Sequence, residues 1–145
     1  MMLTKNFSLE EFTVSQEAVR GGLRNQPDAV QTDAIRNLCL SVLEPLRSRV
    51  KRPIVISSGF RSKSLNTRIG GAATSQHCRG EAADIMVPGV ATADLVDIMR
   101  SMRLPFDQLI DEFGRWVHVS HTSGNRGEVL VASRRGGKTQ YRRIA

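Results

Sequence analysis

The sequence predicts a single α+β domain in which helices pack on a mostly antiparallel sheet. Three observations carry that expectation. Apolar residues recur at helical spacing between Val30 and Val50. Short β-branched or alternating runs stand at residues 53–57, 82–87 and 116–120, each bounded by turn-forming residues. At 145 residues the chain can bury one sizeable core but not two.

Taken in order, Phe7-Ser8-Leu9-Glu10-Glu11-Phe12 has the pattern of a helix start. Ser8 and Glu11 stand at capping-box spacing, and Phe7 can pack on Phe12 as a staple. Gly21-Gly22 limits that helix. Asn25-Gln26-Pro27-Asp28 opens a longer one, with Val30, Ala34, Ile35, Leu38, Val42, Leu46 and Val50 as its buried stripe. Pro45 has no N–H to donate, so it should kink this helix or detach its last turns.

Pro53 to Ser57 is expected as a buried strand, followed by loops at Ser58–Ser62 and Gly70-Gly71. Ala82 to Val87 is the next strand, with Asp84 and Met86 on one face and Ala83, Ile85 and Val87 on the other. Thr92 can cap a third helix buried through Leu95, Ile98, Met99 and Met102, which Leu104 ends before Pro105. Gln108–Phe113 and Trp116–Ser120 form a hairpin around Gly114-Arg115, and Glu128–Ala132 adds an edge strand. The division expected is a domain over residues 1–132 and a basic tail over 133–145.

The net charge of +7 implies an acidic partner. Five of the 21 basic residues (Arg134, Arg135, Lys138, Arg142 and Arg143) crowd the C-terminal end, where part of the charge is simply solvated. An aromatic content of 5% offers few stacking platforms, and no nucleic-acid-binding motif is present, so nucleic acid is not the expected partner. Met1 to Phe7 contains no apolar run that would serve as an export signal, and no stretch approaches the ~20 apolar residues of a membrane span. The expectation is a monomer made in the cytoplasm. Cys39 lies in the helical stripe as a core thiol, and Cys78 adjoins His77, which on extended chain would point the other way.

All three histidines fall in two stretches, Ser75–Asp84 and Trp116–His121. A buried carboxylate needs a partner or a metal, and Asp84 interrupts an otherwise apolar strand. His118 interrupts another, with Trp116 and Ser120 on its face. His77, Asp84 and His118 together make a three-ligand zinc site, one Zn2+ per chain, whose fourth position stays open to water as catalytic sites require.

The ordered pattern Ser75-x-His77-x-x-Gly80-x-Ala82-x-Asp84, followed by Trp116-Val117-His118, resembles the zinc D-alanyl-D-alanine carboxypeptidase family. That family includes phage L-alanyl-D-glutamate endopeptidases and shares its fold with the zinc-bearing domain of hedgehog proteins. The resemblance runs from about Asn6 to Ala132 and takes in a substrate-side loop at Ile56–Ser62 and Leu65-Asn66. It implies a hedgehog/DD-peptidase-like fold and His77, Asp84 and His118 as the zinc ligands. It also implies Arg61 and Ser75 as substrate contacts, with the Arg61 guanidinium gripping a peptide carboxylate.

Many relatives carry an acid three residues before the last zinc histidine. Here that position is Arg115, which cannot accept a proton. Glu112 and Asp111 are the candidates for general base. A three-residue hairpin loop, Gly114 to Trp116, would set Glu112 opposite His118, and a two-residue loop, Gly114-Arg115, would set Asp111 there. The resemblance favours Glu112. His121 is expected at the surface or as a secondary donor, and Trp116 at the cleft wall or over the core.

The function implied is a zinc metallopeptidase cutting peptidoglycan stem peptides, held to the anionic cell wall by its basic surface. An endolysin-type endopeptidase fits, acting after release or carried in a phage particle. The alternatives are a D-alanyl-D-alanine carboxypeptidase or dipeptidase of the same fold, and a zinc-bearing wall-binding or phage structural module without catalysis.

Overall fold

In the computed structural model, which describes Met1–Ala145, Phe7 and Phe12 clasp the N-terminus onto the core. Helix α1 is Leu9–Thr13; the Ser8 N–H donates to the Glu11 carboxylate at 2.7 Å, and the two phenyl rings lie 6.4 Å apart. A separate short helix α2, Gln16–Arg20, follows and stops at Gly21.

The long helical segment is broken as Pro45 demands. Helix α3 is Ala29–Leu38 and α4 is Glu44–Val50, with a π-helical turn at Cys39–Leu43 between them. The Glu44 N–H reaches back to the Cys39 carbonyl, a wider ring that accommodates the ring of Pro45 and its missing donor. Ile35, Leu38, Cys39, Val42, Leu43 and Leu46 are buried along it. Val30 is not: it is 78% exposed.

Six strands form one sheet in the order β1-β2-β4-β3-β5-β6. They are β1 (Val55–Ser58), β2 (Ala82–Met86), β3 (Gln108–Glu112), β4 (Trp116–Ser120), β5 (Glu128–Arg135) and β6 (Lys138–Arg143). All neighbouring pairs are antiparallel except β3 with β5. Helix α6, Thr92–Ser101, buries Leu95, Val96 and Met99 against β3 and β4. Thr92 is its first residue, and Ala91 takes the cap position that the sequence assigns to Thr92.

Four further expectations need correction. Strand β1 is an edge strand and not a buried one, with Val55 42% exposed. The segment between the loops at 58–62 and 70–71 holds a helix, α5 (Lys63–Arg68), capped by Ser62 Oγ on the Leu65 N–H. It carries a single buried aliphatic side chain, Leu65, too little to leave a periodic trace. Residues 133–143, expected as part of a solvated tail, pair as the end of β5 and as β6. The β3–β4 register also differs, with Ile110 opposite His118 and Glu112 opposite Trp116. The connection is Phe113–Arg115, in which Phe113 adopts φ +61 and Gly114 φ +69. A bulky residue rarely takes that conformation, so the sequence pointed to a loop starting one residue later.

The pleat gives the sheet two distinct faces. Ala83, Ile85, Leu109, Val117, Val119 and Val129 face the helices and form the core with them. Asp84, His118, Ile110, Glu112 and Trp116 stand on the other face and line a cleft.

Candidate active site and metal centre

Two strands and one short turn build the centre. The register of β2 on β4 sets Asp84 directly opposite His118. His77 comes from a 3-10 turn, Gln76–Arg79, that precedes β2 and closes at Gly80 with φ +74. A Cβ at Gly80 would collide with the Gln31 carbonyl of α3, so this turn can seat against α3 only with glycine there.

His118 Nδ1 stands 3.0 Å from Asp84 Oδ1, and His77 Nε2 stands 3.4 Å from the same oxygen. The imidazole rings lie 5.1 Å apart at 65°. His77 Nδ1 donates to the Gly59 carbonyl at 2.7 Å, which fixes the tautomer and leaves the Nε2 lone pair facing Asp84. Gly59 is itself wedged against α1, where an added Cβ would lie 2.7 Å from the Phe12 backbone. Burial works to raise the Asp84 pKa, but the hydrogen bond from His118 opposes it, and the carboxyl lies below the usual range.

The donor set fits a zinc ion. The three ligand atoms lie within 4.8 Å of one another, and two imidazoles with one carboxylate are a zinc-type set. Tetrahedral bonds of about 2.0–2.1 Å separate neighbouring ligand atoms by about 3.3 Å, close to the 3.0 and 3.4 Å found. No lysine or arginine forms an ion pair with Asp84, whose carboxylate is partnered by His77 and His118.

The six residues expected as metal ligands, substrate contacts and favoured base line one cleft of about 890 Å3: Arg61, Ser75, His77, Asp84, Glu112 and His118. Glu112 is half-buried. Burial raises its pKa above the usual carboxylate value, the charge of Asp84 adds to this, and His118 opposes it. Asp111 faces away, opposite Val117, and its Oδ1 accepts the Gly114 N–H at 3.1 Å in the hairpin turn. Arg61 is tied to the centre through its backbone N–H, which donates to the His77 carbonyl at 3.1 Å. Its Nη2 donates to Ser75 Oγ at 3.2 Å, while its buried Nε has no partner. Burial lowers the Arg61 pKa and the Asp84 charge acts in the opposite direction.

Trp116 is a cleft-wall residue, packed at 6.1 Å on Phe113. His121 follows β4 outside the cleft, its N–H held by the Glu81 carbonyl at 2.9 Å. Cys78 is not among the converging donors, and Cys39 is a core thiol whose pKa burial pushes up to about 12.

Three contributors left no trace in the sequence. Asp107, 4% exposed, accepts from Arg126 Nε and Nη2 at 3.0 and 2.8 Å and from Gln76 Nε2 at 3.0 Å. It thereby ties the residue before His77 to the far rim of the cleft. Buried Asn25 donates to the Thr13 and Phe60 carbonyls and accepts the Ser62 N–H, which fixes the loop carrying Gly59 and Arg61. Tyr141 of β6 also lines the cleft.

A sequence profile of the family described as Peptidase M15 matches residues 5–120, from before α1 to the end of β4. All six cleft residues named above fall inside the match, and β5 and β6 lie beyond it. No curated protein matches the chain.

Proposed function

The chain belongs to the Peptidase M15 family, and on that premise we propose that this metallopeptidase is a zinc enzyme cutting peptidoglycan stem peptides. The observation that carries the reading is the convergence of His77 Nε2 and His118 Nδ1 on Asp84 Oδ1 in a peptide-sized cleft. His77, Asp84 and His118 would hold the ion. Bound there, zinc supplies a Lewis acid for the scissile carbonyl and makes water nucleophilic near neutral pH.

The chain's own groups do the rest. Gly59 holds the His77 ring in its ligating tautomer. A carboxylate oxygen of Glu112 takes the proton of the attacking water and passes it to the leaving amine; a pKa raised by burial suits that exchange. Arg61, positioned by Ser75, grips a carboxylate of the stem peptide. Glu112 in the cleft beside the ligands favours an enzyme over a wall-binding module that merely carries the ion.

Arg61, Arg79, Arg126 and Arg134 also line the cleft, and the net charge is +7. That charge is of most use to an enzyme retained on a polyanionic wall, so the action proposed is endopeptidase cleavage of intact peptidoglycan, of the endolysin type. Zinc-loaded protein incubated with sacculi and followed by mass spectrometry tests this. New termini inside stem peptides are expected. Release of free D-alanine alone would make it a carboxypeptidase, and no product at all would leave the binding module.

A further inference from the structure

One row of residues crosses the sheet on the cleft face: Trp116 opposite Glu112, Glu112 opposite Ala132, and Ala132 opposite Tyr141. Ala132 is 1% exposed and offers only a methyl group, so little side chain separates Glu112 from the Tyr141 ring. Tyr141 is the one tyrosine of the chain and sits on β6, a strand whose residues are all exposed. At 57% exposed it contributes little to the core, yet it lines the same cleft as His118, Asp84 and Glu112. Its hydroxyl has no hydrogen-bond partner in the protein; burial of the ring, then the charges of Glu112 and Asp84, raise its pKa and keep it a donor at neutral pH.

We infer that Tyr141 is a substrate-binding residue whose hydroxyl donates a hydrogen bond to an oxygen of the bound peptide; this rests on the peptidase reading above. The distance from the metal ligands defines its place. Three strand spacings separate β6 from β4, roughly 14 Å at ~4.8 Å each, so the hydroxyl meets the peptide away from the cleaved bond. Tyr141 therefore sets affinity and sequence preference and takes no part in the bond-breaking step. Since β6 lies beyond residues 5–120, this contact comes from a part of the chain that the family profile does not cover.

The test is Tyr141→Phe, which removes only the hydroxyl. Zinc content and thermal unfolding should match the wild type, while kcat/KM for a stem peptide falls roughly three- to tenfold, carried by KM. Because the chain has one tyrosine, nitration by tetranitromethane gives a readout independent of hydrolysis. A stem peptide added to zinc-loaded Glu112→Gln protein should slow nitration of Tyr141. A KM within about twofold of wild type in Tyr141→Phe, or nitration unaffected by saturating peptide, overturns the inference. Protection from nitration together with a zinc-loaded wild type that never cuts the peptide would retain Tyr141 as a contact and reject the peptidase reading instead.

Discussion

His118 Nδ1 and Asp84 Oδ1 lie 3.0 Å apart although 34 positions separate the two residues. The antiparallel register of β2 on β4 makes them direct neighbours, and His77 reaches the same oxygen from the turn before β2. A donor set drawn from three segments depends on the fold, but loss of one imidazole leaves the sheet intact. His77→Ala and His118→Ala should each fold and hold far less than the one zinc equivalent expected of the wild type. Metal analysis of dialysed protein checks this; a full equivalent in both variants would place the ion elsewhere.

The β3–β4 hairpin sets two adjacent carboxylates on opposite faces of the sheet. Glu112 shares a face with His118 and lines the cleft, and Asp111 caps the turn on the opposite face. Glu112→Gln should retain zinc and unfold like the wild type while losing about 10²–10⁴-fold in kcat, the usual contribution of a positioned acid–base group. Asp111→Asn should keep most of its activity and lose at most about 1 kcal/mol of stability, since one exposed turn hydrogen bond is at stake. The reverse ranking in a steady-state assay would reassign the base.

Much of this site was legible because the chemistry interrupts a period. Asp84 breaks the apolar run of β2 and His118 stands between two apolar residues of an alternating β4, so residue type and face are both legible without the pairing. Face survived even where register did not: Glu112 pairs with Trp116 and not with His118, but a shift of two keeps it on the same side. What escaped has no local signature. Asp107 acquires meaning only where Arg126 and Gln76 meet it, and Asn25 only where two loops cross. Strand β6 is polar and basic throughout, and its pairing with β5 comes from backbone hydrogen bonds that composition does not reveal.

Asp107 gives a pH prediction with a definite sign. Its hydrogen bonds from Arg126 lead, against an opposing effect of burial, in lowering its pKa to about 2, from about 3.9 in an unfolded chain. A carboxyl depressed on folding stabilises the protein above its unfolded pKa, and that contribution is lost as pH falls towards the folded value. Wild type should therefore be more stable than Asp107→Asn at neutral pH, and the gap should close between about pH 4 and pH 2. Comparing the two proteins isolates Asp107 from Asp84, whose pKa is also depressed. Denaturant unfolding across that range is the measurement; a gap independent of pH would mean that the carboxylate charge contributes nothing there.

Both the backbone and the guanidinium of Arg61 are anchored at the centre. Its backbone N–H is fixed to the His77 carbonyl and its Nη2 to Ser75, so the guanidinium is oriented beside the ligands, while its buried Nε remains unpaired. A buried donor without a partner costs free energy, and a substrate carboxylate would satisfy it on binding. Hydrogen bonds to charged groups contribute about 1.5–3 kcal/mol, so Arg61→Ala should lower kcat/KM by roughly 10- to 150-fold. Zinc content should not change, because no side-chain atom of Arg61 is among the converging donors. Arg61→Lys should recover little, since an ammonium cannot reproduce the planar fork. If stem peptides lacking a free carboxylate near the cut lose nothing in the variant while carboxylate-bearing ones do, Arg61 reads that group. Equal losses for both substrates would instead give Arg61 a part in organising the centre through His77 and Ser75.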